Sequence, residues 1–282
     1  MSFDKAFQKK IALVEQGIAD YLRDSSPQEQ ELSQAVAWAL SGGGKRVRPV
    51  LTLAFVELFG AADSAMPFAL AVELIHSYSL VHDDLPCMDN ADTRRGKPSV
   101  HKQFGETIAL LTGDILLTDA FGMLTAAPLP ANAIVSACQI LAESSGARGG
   151  MISGQVFEWL CEKAGNVSDE DLQKVCEGKT AALLEAACML GVLAGGGDDE
   201  LLLLAKTYAR GIGLAFQMVD DIFDLEEDKA AGRSTFATLW GIEKTRRAAH
   251  ELTAQALKAL DVFKGDKSFL AGLAQWLLSR DS

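Results

Sequence analysis

Two apolar segments, one in each half of this 282-residue chain, run into paired carboxylates: Val81-His82-Asp83-Asp84-Leu85 and Met218-Val219-Asp220-Asp221-Ile222. The apolar part of each has to be buried, and the acids at its end cannot be buried with it uncompensated. The sequence around them has helical spacing. Apolar residues recur three and four apart over 32–40, 50–59, 67–81, 107–124, 131–145, 168–193, 199–224, 243–263 and 268–278. Pro27, Pro49, Pro67, Pro128 and Pro130 fall at or near the ends of these runs, and Gly42-Gly43-Gly44, Gly149-Gly150 and Gly195-Gly196-Gly197 punctuate them. Strand-like alternation bounded by turns is scarce. The pattern predicts an all-α fold of about ten helices, and with no shift of composition along the chain, residues 1–282 read as one domain. The run 180–193 is apolar nearly all round, which predicts an enclosed central helix or a subunit interface.

Charge narrows the partners. Lys and Arg number 26 against 38 Asp and Glu, a net charge of −12. Such a surface repels a polyphosphate backbone, which argues against nucleic acid. An anionic substrate would need a local basic cluster or metal ions. The five cysteines, Cys87, Cys138, Cys161, Cys176 and Cys188, are odd in number and never spaced as C-x-x-C, so neither a disulfide framework nor a cysteine zinc site fits. Residues 1–10 alternate charge with apolar residues and lack the apolar core of a signal peptide, and no run of 18 uncharged apolar residues occurs. A cytoplasmic protein without a membrane span is expected.

The acids predict hard-cation chemistry. Asp220 and Asp224 are four apart, on one helical face, with Gln217 a turn below. Like charges at that spacing destabilise a bare helix, and oxygen donors without neighbouring His or Cys suit Mg²⁺. In the first cluster Pro86 stands between Asp84 and Asp89, and a break there lets Asp89 fold back toward Asp83. The plainer alternative is that these acids cap helices or face solvent. Two such clusters weigh against it, and since Mg²⁺ commonly bridges to phosphates, they suggest metal ions clamping a diphosphate.

A matching basic cluster exists. Gly44-Lys45-Arg46-Val47-Arg48-Pro49 is a glycine turn loaded with cations before a helix, where backbone amides also favour anions. Arg46 stands where a Walker A loop requires Ser or Thr, so it is not one. Arg94 and Arg95 follow the first acids, either as charge balance or as a bidentate phosphate fork. His76 shares the face of Asp83, and Lys179-Thr180 interrupts an apolar run; the one could be a core residue and the other could snorkel to water.

In this order the motifs resemble the trans-prenyltransferases, the short-chain polyprenyl diphosphate synthases, and among them the bacterial farnesyl diphosphate synthases most closely. The resemblance rests on 43–49, on 76–89 with Arg94-Arg95-Gly96-Lys97-Pro98, on Gly154-Gln155, on Lys179-Thr180 and on 216–224, and so covers nearly the whole chain. It implies an isoprenoid-synthase fold around a central apolar cavity, a homodimer and several Mg²⁺ ions per active site. It further implies that Asp83, Asp89 and Asp220 ligate Mg²⁺, with Asp84 and Asp224 in support. Arg94, Lys179 and Gln217, with Arg233 in the place of a lysine, would face the allylic diphosphate. Lys45, Arg48, His76 and Arg95, with the Gly44 backbone, would hold isopentenyl diphosphate. Thr180, Gln217 and the Lys179 carbonyl are candidates to stabilise an allylic carbocation. Tyr78 and Ser79, about one turn before Asp83, would set chain length, a pairing that looks like a C15 producer and so points to farnesyl diphosphate. Geranyl or geranylgeranyl diphosphate synthesis, or a regulatory subunit that catalyses little, are the alternatives.

The chain departs from the family pattern at Asn90 and Ala91, where Asp commonly continues, at Glu158, where Asp is usual, and at 225–232, a shortened loop before Arg233 in which Lys229 is the candidate substitute for a missing cation. His82-Asp83 admits an HD-type phosphohydrolase, which would leave the second acid cluster unexplained. A terpene cyclase would not need Lys45, Arg48 and Arg95.

Overall fold

The structure, a computed structural model, describes residues 2–24, 28–41, 43–61, 65–165 and 167–279. Pro27 and Gly42, named above as breakers, lie outside the described residues. The helices in chain order are α1 (Phe3–Asp24), α2 (Gln30–Leu40), α3 (Val47–Glu57), α4 (Met66–Asp83), α5 (Val100–Phe104), α6 (Glu106–Thr125), α7 (Ala131–Ser145) and α8 (Met151–Ala164). They continue with α9 (Asp169–Cys176), α10 (Ala182–Ala194), α11 (Asp199–Phe223), α12 (Leu225–Ala231), α13 (Phe236–Trp240), α14 (Ile242–Ala259) and α15 (Ser268–Ser279). Two short strands, β1 (Thr93–Arg94) and β2 (Lys97–Pro98), pair antiparallel between α4 and α5. The all-α expectation holds.

α10 is the axis of the bundle. It is buried along its length and packs on α3, α4, α7 and α11. An all-apolar helix leaves no face for water, so it is stable only where neighbours surround it. α4 obeys the same logic: Pro67 starts it, its apolar residues from Phe68 to Val81 are enclosed, and it lies along α6 and α3. A smaller apolar cluster, with Leu214, Met218, Val219 and Phe236 at its centre, supports the last turns of α11 from α13 and α14. α6 has the length and apolarity of a membrane span; it also carries Asp114 and Asp119, and Tyr21 donates a 2.7 Å hydrogen bond to Asp119.

The structure departs from the expected runs in several places. α1, α5, α8 and α13 are helices that the apolar spacing did not mark. The run 168–193 divides into α9, a π-helical turn over Glu177–Ala181, and α10. Most of the segment 225–232 is helical, as α12 over Leu225–Ala231, rather than a loop. The β1–β2 hairpin turns on Arg95 and Gly96, both with positive φ (53° and 76°), the requirement of a tight two-residue turn.

Candidate active site

α4 delivers the first carboxylates. Asp83 is its last residue, and the chain then doubles back so that the Asp89 amide donates to the Asp83 carbonyl at 2.9 Å. The return expected from Pro86 is present. Asp83 lines an apolar cavity of about 590 Å³, together with Tyr78, Ser79, Leu117, Met151 and Gln155. Burial pushes its carboxyl up to about 6; Asp89 and Glu158 add to the shift, and Lys179 and Arg94 oppose it.

Asp84, the next residue, is buried where Asp83 is half-buried, and its side chain receives the Arg94 fork, Nε at 3.0 Å and Nη2. In the ligand-free chain Asp84 thus fixes the orientation of the arginine expected at the allylic diphosphate. On the other side of the same hairpin turn, Arg95 donates to the Gly43 carbonyl and lies 3.5 Å from His76 Nε2.

The basic residues surround a second cavity of about 330 Å³, lined by Gly44, Lys45, Arg48, Glu73, His76 and Arg95 among others. Gly44 (φ 123°) faces the Arg95 guanidinium so closely that a Cβ would strike it at 2.7 Å. Burial pushes Arg48 down to about 10 against the pull of Glu73, and its buried Nε has no hydrogen-bond partner. Burial and the surrounding arginines hold His76 well below the usual imidazole range, so it is neutral at pH 7. Lys45 sits over the Trp276 ring of α15.

Arg48, His76 and Thr180 line both cavities and form the wall between them. The π-turn places Thr180 there. Gly154 of α8 and Gly178 of the turn meet backbone to backbone, and a Cβ on either would overlap the other's chain. That approach sets Lys179 beside the apolar cavity, where its ammonium pairs with Glu158, which also accepts from Gln155 at 3.2 Å. Thr180 donates to Gln217 Oε1 at 3.4 Å, and Gln217 Nε2 donates to Asp221 at 3.0 Å. Gln217 thus serves Asp221, four residues on, rather than lying idle beneath Asp220. Asp221 is buried, accepts the Phe236 amide at 2.9 Å, and is pushed up to about 6 by that burial. Phe216 lines the basic cavity; Asp220 and Asp224 follow it at four-residue steps and therefore share its face.

The donors fit a hard cation. Asp89 is close enough to Asp83 to raise the cost of its charge, Asp220 and Asp224 follow one another at the end of α11, and Asp83 is desolvated without an ion pair among the described residues. No three metal-ligating side chains are preassembled among the described residues, which suits a cation that completes its shell with phosphate and water oxygens.

Arg233 and Lys229 are not brought to either cavity. Arg233 faces Asp228 at 3.6 Å with its side chain 64% exposed, and Lys229 pairs with Glu226 at 2.8 Å. His82 lies 3.0 Å from the Leu110 carbonyl and against Gly113, and no cluster of three metal-ligating side chains, as an HD-type site needs, is found among the described residues. Sequence reading missed Glu73 and the part played by Asp221. Helical offsets could have marked both: Glu73 is one turn before His76, and Asp221 is four after Gln217.

A model of the polyprenyl synthetase family matches residues 29–239. Geranylgeranyl pyrophosphate synthase 11 of Arabidopsis thaliana is 41% identical, over 98% of this chain and 84% of that protein. The geranylgeranyl pyrophosphate synthase of Catharanthus roseus is 43% identical, over 89% and 74%. Among solved structures, an FPP/GFPP synthase from Zymomonas mobilis superposes with a TM-score of 0.86 at 35% identity, covering 98% of this chain and 97% of that one. A geranyltransferase from Legionella pneumophila superposes with a TM-score of 0.89 at 33% identity, covering 99% and 98%.

Proposed function

Because the chain belongs to the polyprenyl synthetase family of prenyltransferases, we propose that it joins isopentenyl diphosphate to an allylic diphosphate head to tail, in the basic and apolar cavities respectively. The observation that carries this reading is the shared wall: a basic chamber and an apolar chamber meet at Arg48, His76 and Thr180. Two substrates with one hydrocarbon tail to store need that pairing, and a cyclase needs only the apolar half.

Asp83, Asp89, Asp220 and Asp224 would hold Mg²⁺, which when bound neutralises the charge that develops on a departing diphosphate. Lys179, released from Glu158 as the anion arrives, adds a cation at the mouth of the apolar cavity. Thr180 Oγ1 and Gln217 Oε1 present oxygen dipoles to the allylic cation left when its C1–O bond breaks. Arg48, Arg95, Lys45 and the Gly44 backbone hold the second diphosphate, so that its C4 bonds to the allylic C1. The released diphosphate takes the proton lost from C2, since His76, in the shared wall, is surrounded by arginines that disfavour its taking a proton.

For product length, the relatives named as geranylgeranyl pyrophosphate synthases favour C20. The flank of the apolar cavity supports room for it: Leu110, Ile152 and Val156 line the cavity and are exposed on its outer side. A C15 product is the second reading, favoured by the Tyr78 ring in the cavity wall one turn below Asp83. We also infer that a second copy of the chain covers this α6–α8 flank, because it is apolar and opens on the cavity. The free thiols, with Cys87 exposed, support a reducing compartment.

Purified protein incubated with Mg²⁺, isopentenyl diphosphate and each allylic diphosphate in turn tests the reading. Elongated products are expected, and their size chooses between C20 and C15. No condensation with any allylic substrate would overturn it and leave the regulatory-subunit alternative. Sedimentation tests the second copy.

A further inference from the structure

We propose that Glu73 is the resident counter-ion of the basic chamber, a positioning residue that spends Arg46 on structure and keeps Arg48 and Arg95 charged and uncommitted for the incoming diphosphate. The inference rests on the assignment of that chamber to isopentenyl diphosphate.

Glu73 is the one carboxylate among the residues that line the chamber. It is 2% exposed, in an otherwise apolar stretch of α4, and a buried acid needs a compensating charge. Arg46 supplies it, with Nη1 at 2.6 Å from Glu73 Oε1. The other arms of that guanidinium are used as well, Nε on Glu15 at 2.7 Å and Nη2 on the Leu40 carbonyl. The Arg46 backbone is left-handed, with φ at 47°, a conformation that persists only where surroundings hold it. All three guanidinium nitrogens of Arg46 are engaged within the protein. The glycine-rich motif therefore contains one structural arginine and one free one.

The free one is Arg48, whose buried Nε has no partner. Among the described residues Arg95 is tied only to the Gly43 carbonyl and the His76 ring. Burial works against the charge on both, and Glu73 opposes that on both. Around Glu73 stand Lys45 and Arg46 from the turn before α3, Arg48 in the first turn of α3, His76 on α4 and Arg95 from the hairpin, with Glu15 of α1 on another arm of Arg46. Among them only Glu15 is a second acid, and it is 44% exposed on its side chain. A buried negative charge that bonds one arginine and merely faces two others stabilises their charge while leaving their donors for the ligand.

The test is Glu73→Gln with separate kinetic constants for the two substrates. The KM for isopentenyl diphosphate is expected to rise about 10- to 100-fold, the scale on which outer partners of a binding group act, with kcat and the allylic KM within about twofold. The alkaline limb of kcat/KM for isopentenyl diphosphate should move to lower pH, since Arg48 and Arg95 lose the charge that opposes their deprotonation. Gln at 73 leaves Arg46 unpaired, so Glu73→Gln/Arg46→Gln is the second variant. It removes both buried charges and should regain the melting temperature while keeping the KM defect and the pH shift. A double variant with wild-type KM, or an unmoved alkaline limb, overturns the role of Glu73 alone. A wild-type protein that never turns over isopentenyl diphosphate overturns the chamber assignment and this proposal with it.

Discussion

Asp89 returns its backbone amide to the carbonyl of Asp83 at 2.9 Å, joining two residues whose Cα atoms a continuing α-helix would set about 9 Å apart along its axis. The turn is locked by Asn90, which adopts φ 49° and donates its amide to the Leu85 carbonyl at 3.1 Å. What position 90 must supply is therefore a left-handed backbone as much as a charge, and Asn supplies it readily.

Asn90→Val should accordingly cost about 1–2 kcal/mol of stability, because a β-branched residue resists that conformation. Turnover should fall about tenfold or more as Asp89 swings away from Asp83. Asn90→Gly should stay within about twofold in turnover. Denaturant unfolding beside steady-state assays checks both arms.

Asp83 and Asp221 share a second property, carboxyls pushed up to about 6 by burial. A folded-state value above the unfolded one means that the protonated form stabilises the fold. That contribution is full below about pH 4 and lost as pH rises through about 6. The melting temperature of the metal- and substrate-free protein should therefore rise as pH is lowered from 7 to 5. Asp221→Asn should flatten this slope and stabilise the free protein at pH 7 by on the order of 1 kcal/mol, while turnover falls because Gln217 loses its charged partner. A Tm–pH series in chelator, wild type against variant, measures it. A slope of the opposite sign would show that the acids are not desolvated.

The crossing of α8 and the π-turn gives a third expectation. Gly154 and Gly178 touch through their backbones, and no flexible side chain lies between them to move aside. Gly154→Ala should cost about 1–3 kcal/mol, the usual range for overpacking, and should depress turnover further than that loss explains, because it displaces Lys179 and Thr180 together. Gly122→Ala, in open space on α6, is the control: it should leave turnover unchanged and, if anything, raise stability by up to about 1 kcal/mol.

These residues also show where sequence reading stopped. The buried helices, the acid-bearing helix ends and the glycine turn were legible because apolar spacing, Pro86 and paired charges are local signals. The π-turn was not: an i+5 pairing leaves the apolar period of 168–193 unbroken, and only the tertiary contact of Gly154 with Gly178 selects it. Glu73 was passed over because periodicity assigns a charged residue to the outer face, and its burial depends on Arg46, distant in sequence. α8 was missed because several of its apolar residues, Ile152, Val156, Trp159 and Leu160, lie on an exposed face, so its pattern does not mark a stripe toward the core.

The same exposed flank decides how far product length can be read from Tyr78 and Ser79. Ser79 is half-buried in the cavity wall, its hydroxyl donating to the His76 carbonyl at 2.9 Å, and Tyr78 beside it has a buried hydroxyl with no hydrogen-bond partner. Phe at 79 would fill space that Ser leaves open, so Ser79→Phe should shorten the main product by at least one isoprene unit, as far as C10 if the wild type stops at C15. Tyr78→Ala removes the larger ring and should lengthen it. If the chain is stopped by α4, both variants shift the product in these opposite directions, read by chromatography of the dephosphorylated alcohols. If it escapes along Leu110, Ile152 and Val156 instead, Tyr78→Ala changes little, and Val156→Phe becomes the substitution that shortens the product.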